Sequence, residues 1–83
     1  MHFRENDRPY ETGVNERIQA HEVRLIDENG EMRGVMSPVR ALEIARARGL
    51  DLVEVSPNVV PPVCLLMDYG RYQEELKRAI QGE

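Results

Sequence analysis

The chain has one cysteine and one lysine, and it lacks the run of roughly 18 apolar residues that a membrane-spanning helix requires. The lone Cys64 can form no internal disulfide, and Met1–Arg8 is too polar for the apolar segment of a signal peptide, so the cytoplasm is the expected compartment. A marked basic excess is also missing. The net charge is -4 and the pI about 5.2, which excludes a domain whose whole surface binds phosphate but leaves room for local basic clusters. Of 11 cationic residues only Lys77 is lysine. Arginine suits planar contacts to phosphate or carboxylate, and an arginine-rich genome gives the same tally.

Recognisable chemistry is sparse as well. His2 and His21 have no second histidine or cysteine at metal-ligand spacing, and Cys64 lies in an apolar run, where a thiol is inert core. No glycine pattern cradles phosphate. The carboxylates Asp27, Glu28 and Glu31 come together only because they surround a turn. No catalytic residue, metal, cofactor or small-molecule substrate is indicated. At 83 residues the chain is one small domain, expected to bury about 60% of its unfolded surface and to hold no deep cleft.

What is present is ordered punctuation. Residues 1–14 carry many charges and only Phe3, Tyr10 and Val14 as large apolar side chains, so a flexible tail is expected there. Asn15-Glu16-Arg17-Ile18 reads as a short lead-in anchored by Ile18. His21–Ile26 alternates like a half-buried strand, and Glu31–Met36 returns as its partner after Asn29-Gly30, a strong hairpin signal. With those two residues as the loop, Val23 lies opposite Met36 and Leu25 opposite Gly34, while Arg24 and Arg33 share the outer face.

Ser37-Pro38 opens a helix, because serine accepts an orphan N–H and proline suits the first helical position. Ala41, Leu42, Ile44 and Ala45 give it a narrow apolar stripe. Arg46 and Arg48 suit the negative end of the helix dipole, and Gly49-Leu50 matches a left-handed cap. Asp51–Ser56 is the third strand, with Val53 and Val55 expected to face the helix and a crossover expected to set it parallel to the second. Pro61-Pro62 leads into Val63–Met67, a fourth strand by its flanking signals, though periodicity alone leaves a buried helix open. Asp68 caps an exit helix on which Tyr72, Leu76, Ala79 and Ile80 share a face and Glu74 and Arg78 are spaced to pair. The fold class is α+β: a four-stranded mixed sheet packed on one helix, with a C-terminal exit helix, in the element order of the β-grasp class.

Val14–Ile18, Glu22–Ile26, Gly34–Ser37, Gly49–Asn58, Pro61–Cys64 and Met67–Gly70 together resemble the N-terminal domain of bacterial translation initiation factor 3. The likeness covers roughly Val14 to Tyr72, and the proline pair, the cysteine and Met-Asp-Tyr-Gly recur in it at set spacing. It implies a flexible tail over 1–14, a β-grasp-like ribosome-binding domain over 15–70 and the start of an interdomain linker helix over 71–83. It implies a non-enzymatic role at the platform of the small ribosomal subunit, with 16S rRNA, ribosomal protein S11 and initiator tRNA as partners, in subunit anti-association and start-codon selection. The family carries a second domain beyond that linker, so a fragment is expected. The candidate contacts are Arg17, Arg24 and Arg33 on the lead-in and sheet, and Tyr69, Arg71, Tyr72 and Arg78 at the exit, where tyrosine and arginine can stack on and pair with RNA. Equally, Tyr69 and Tyr72 can simply pack the exit helix onto the sheet. Val60 and Leu65 stand where the family is usually basic, and Glu74 and Glu75 make the exit helix less basic than expected. A ubiquitin-like protein-interaction module without a ribosomal role is the alternative.

Overall fold

The structure is a computed structural model and describes residues 13–81; the tail expected over 1–14 lies outside them except for Gly13 and Val14. A 3-10 turn over Asn15–Arg17 leads to strand β1, Val23–Ile26, and its hairpin partner β2, Met32–Met36. Helix α1, Pro38–Ala47, connects to β3, Asp51–Ser56; β4, Val63–Met67, follows, and helix α2, Tyr69–Gln81, ends the described chain.

The strand order is β2-β1-β4-β3, with β1 and β4 parallel in the centre and the outer pairs antiparallel. This is a mixed α+β sheet of β-grasp type. β2 and β3 therefore run in the same direction, as the crossover requires, but at opposite edges with two strands between them. Gly13 and Val14 border the β3 edge: Val14 bridges Val53, and the Glu54 N–H donates to the Gly13 carbonyl at 2.7 Å.

The hairpin reaches its expected pairing by two deviations that cancel. Val23 faces Met36 and Leu25 faces Gly34. The loop is nevertheless one residue longer than Asn29-Gly30 alone: Gly30 N–H donates to the Asp27 carbonyl, and Asp27 N–H donates to the Glu31 carbonyl, both at 2.9 Å. Gly30 takes the left-handed φ of 81° that closes such a three-residue loop. Asp27 forces the longer form by accepting the N–H groups of Asn29 at 2.9 Å and Glu31 at 3.0 Å on one carboxylate oxygen. Ile26 then pairs with Met32, leaving Arg33 as an extra residue that restores the register at Gly34, where φ is 97°.

Helix α1 is built as its sequence indicates. The Ser37 hydroxyl accepts the Arg40 N–H at 3.1 Å, and Gly49, at φ 68°, lets Leu50 N–H reach the Ala45 carbonyl at 2.9 Å. Ala41 and Ala45 are fully buried, and their small side chains let the helix approach Val23, Leu25, Leu52, Cys64, Leu66 and Ile18, which complete the core. The expectation that Val53 and Val55 face this helix is not met. Leu52 does so, paired with Leu66, whereas Val55 is 40% exposed beside a bulge between Glu54 and Ser56. Leu52-Val53 is apolar at both positions, so alternation could not set the phase; pairing with β4 does.

Candidate nucleic-acid interface

The two faces of the sheet differ. On the face away from α1, Met32, Ile26, Leu65 and Val53 form a register row across all four strands, and Val35, Arg24 and Val63 form the next. Arg24 is half-buried between valines. Leu65 is half-buried in the middle of this aliphatic surface, whereas Val60, in the β3–β4 loop, is 96% exposed.

Arg33 does not share that face with Arg24. As the bulge residue it turns its guanidinium to the Asp27 carboxylate at 3.2 Å, and Arg48 from the end of α1 approaches the same oxygen at 3.8 Å. Asp27 itself is 3% exposed. The Glu31 N–H foremost, then the Asn29 N–H and Arg33, hold its carboxyl below the usual range against the opposing effect of burial. Arg48 also grips Glu28 with both Nη1 contacts at 2.9 Å. The hairpin end is thus clasped to the helix C-terminus, and its cations are engaged internally.

The same holds for much of the basic surface. Arg40 pairs with Glu43 at 3.4 Å, Arg46 with Glu16 at 3.1 Å and Arg71 with Glu75 at 3.4 Å. The expected Glu74–Arg78 pair does not form; the i,i+4 pair on α2 lies one turn earlier. Among the described residues Arg24, Lys77 and Arg78 have no ion-pair partner, while Arg17 sits exposed on the lead-in turn and has an interaction of its own.

At the start of α2, Asp68 accepts the Arg71 N–H at 3.1 Å, as a capping residue should. Tyr69 is half-buried, and Tyr72 stacks on it with centroids 6.3 Å apart. Beside them an open cleft of about 410 Å³ runs between Leu50, Leu66, Met67 and Tyr72, rimmed by Glu28, Asp68, Glu75 and Arg71. Three carboxylates against one guanidinium make this cleft unsuited to a phosphate. Of the seven candidates, only Tyr69, Arg71 and Tyr72 come together. Arg24 lies on the open sheet face, Arg17 on the lead-in, Arg33 on the hairpin clasp and Arg78 near the far end of α2.

A second polar junction has no local sequence signature. Asp51, at the start of β3, accepts the Asn15 side-chain N–H on one oxygen and the Tyr69 backbone N–H on the other, both at 3.0 Å. The Asn15 oxygen in turn accepts the Leu52 N–H at 2.8 Å. Asn15, then Tyr69, with Arg46 adding less, hold the Asp51 carboxyl below its ordinary range. These contacts join residues 36 and 18 positions apart, which no local pattern announces. Cys64 is unreactive by contrast: burial, with a smaller push from the Glu54 charge, raises its thiol to about 12. No His, Cys, Asp and Glu grouping suited to a metal ion occurs among the described residues, and no helix there is long and apolar enough to cross a membrane.

Comparison with known proteins covers almost all of the described chain. The family described as Translation initiation factor IF-3, N-terminal domain, matches residues 14–81. The translation initiation factor IF-3 of Rickettsia typhi is 53% identical over 67 residues, covering 81% of this chain and 36% of that protein. Those of Cereibacter sphaeroides and Thermotoga maritima are each 56% identical, over 70 and 64 residues, covering 82% and 77% of this chain and 39% and 37% of theirs. The chain thus spans little more than a third of the length of these curated relatives. With its proline pair, buried cysteine strand and exit helix all inside the matched segment, the chain belongs to the translation initiation factor IF-3 N-terminal domain family.

Proposed function

We propose that this chain acts in the cytoplasm as the subunit-binding N-terminal part of a translation initiation factor. It would bind the platform of the small ribosomal subunit, near 16S rRNA, ribosomal protein S11 and the elbow of initiator tRNA. Its role is non-enzymatic: it favours subunit anti-association and correct start-codon selection by occupancy. Residues 15–70 would form the binding domain and 71–83, of which 82 and 83 lie outside the described residues, would begin the linker to a second domain. The observation that carries this reading is the family match from residue 14 to residue 81, which runs through every strand and both helices.

Geometry sharpens the form of the binding. Among the described residues, Arg33, Arg40, Arg46, Arg48 and Arg71 are already held by carboxylates, and Arg24, Lys77 and Arg78 have no ion-pair partner and are open to phosphate. At roughly 0.7–0.9 per phosphate contact, these three cations should contribute a slope of about 2–3 to the fall of log affinity against log salt. Titration of the protein onto purified small subunits at varied salt measures this. Absence of binding at low salt overturns the proposal. The aliphatic surface around Leu65, with the exposed Val60, favours one alternative, a ubiquitin-like module that docks on protein. Salt-independent capture of a protein partner, without small-subunit binding, would establish that reading instead.

A further inference from the structure

Helix α2 leaves the domain with few packing contacts to direct it. Beyond Tyr72 only Gln73 and Leu76 are half-buried on the way to Ile80, which is 76% exposed. The direction of such a helix is set by whatever grips its first turn. Two carboxylates do so: Asp68, which is local, and Asp51, which reaches across from the start of β3 to the Tyr69 N–H at 3.0 Å.

Asp51 has its other oxygen on Asn15 at 3.0 Å, and 3.9 Å from that oxygen lies Arg46 Nη1, whose second nitrogen holds Glu16 at 3.1 Å. Asn15 stands at φ 53°, a left-handed conformation that L-residues other than glycine adopt at a cost and that asparagine tolerates best. Both polar atoms of its side chain are used, one on Asp51 and one on the Leu52 N–H. The lead-in turn, the end of α1, the start of β3 and the root of α2 therefore meet at one carboxylate.

We propose that Asp51 is a positioning residue that fixes the direction of α2 and couples it to the lead-in turn. A partner gripping the turn, where Glu16 and Arg17 are exposed, would then stiffen α2, and one gripping Lys77 and Arg78 would steady the turn. Asp51 is shared between the turn and the root of α2. The exit helix of this chain is an aimed arm with an adjustable root.

The test reads direction on the free protein, so its outcome is independent of whether the small subunit is the partner. Residual dipolar couplings of α2 amides are fitted to the alignment tensor of the sheet, and exchange of the Tyr69 amide is followed, for wild type, Asp51→Ala, Asn15→Gly and the double variant. Asn15→Gly keeps the positive φ accessible and leaves the Asp51–Tyr69 hydrogen bond its own donor and acceptor, so it carries the test alone if Asp51→Ala does not fold; the Leu25 and Cys64 amides report on the sheet. In wild type one tensor should fit both elements. In Asp51→Ala the α2 couplings should depart from it and the Tyr69 amide exchange roughly ten- to hundredfold faster, the change expected for one lost hydrogen bond to a charged group. Asn15→Gly should shift both in the same direction by less, and the double variant should match Asp51→Ala, since coupled residues are non-additive. An α2 that keeps the wild-type fit in either single variant, with the sheet intact, overturns the proposal.

Discussion

Helices α1 and α2 differ in what holds them. α1 is capped by neighbours in sequence, Ser37 before it and Gly49 after it, and it buries Ala41 and Ala45 completely. α2 buries little: it is capped by Asp68 and, from 18 residues away, by Asp51. A helix secured by apolar contact resists whatever leaves the core intact, whereas one secured at its root by carboxylates answers to charge. The first is scaffold, and the second is a pointer whose aim is a separate variable.

Removing apolar area beneath α1 should have the largest effect. Leu52 is fully buried and packed with Leu66, so Leu52→Ala is expected to destabilise the domain by about 2–5 kcal/mol in chemical denaturation, with both helices lost together. A small change there would mean that α1 is not held by the core.

Acid should then separate the two helices. Asp51 has its folded pKa lowered by Asn15, Tyr69 and Arg46, so its contribution is complete above its unfolded value near pH 4 and is lost as pH falls through that value and on through the folded one. The Ser37 cap does not titrate in this range. In an NMR titration the α2 amides should lose protection at higher pH than those of α1; simultaneous loss would erase the distinction. Asp27 is lowered in the same sense, so the hairpin clasp should weaken in the same acid window.

Smaller effects test the ends. Ser37→Ala removes the bond to the Arg40 N–H and should cost about 1 kcal/mol in thermal or chemical unfolding. Ile80→Ala on α2, already 76% exposed, should change stability by no more than about 0.5 kcal/mol, and a larger loss would show that this face is covered in the free protein.

Much of this comparison was legible from residue order. Ser37-Pro38 and Gly49-Leu50 bounded α1 because capping is chemistry between close neighbours. The hairpin pairs Val23–Met36 and Leu25–Gly34 were also correct, although the loop was one residue longer than expected and a bulge at Arg33 restored the count. That compensation depends on Asp27 bonding Asn29 and Glu31, and on burial that makes Asp27 recruit Arg33. The phase of β3 was missed because Leu52 and Val53 are both apolar. Among the candidate contacts, Tyr69, Arg71 and Tyr72 were grouped by adjacency, but a list of arginines could not show which ones carboxylates already occupied.

The sequence by itself determined the element order, the ends of α1, the apolar strand through Cys64 and the family to which the chain belongs, since each rests on spacing between residues a few positions apart. Tertiary structure alone decided the strand order, the engagement of Arg33, Arg46 and Arg48, and the junction at Asp51. Those depend on parallel pairing of β1 with β4, which carries β3 to the edge beside Asn15 and brings its first carboxylate under the first N–H of α2. A hydrogen bond needs its partners within about 3 Å, and only the folded sheet brings these groups that close.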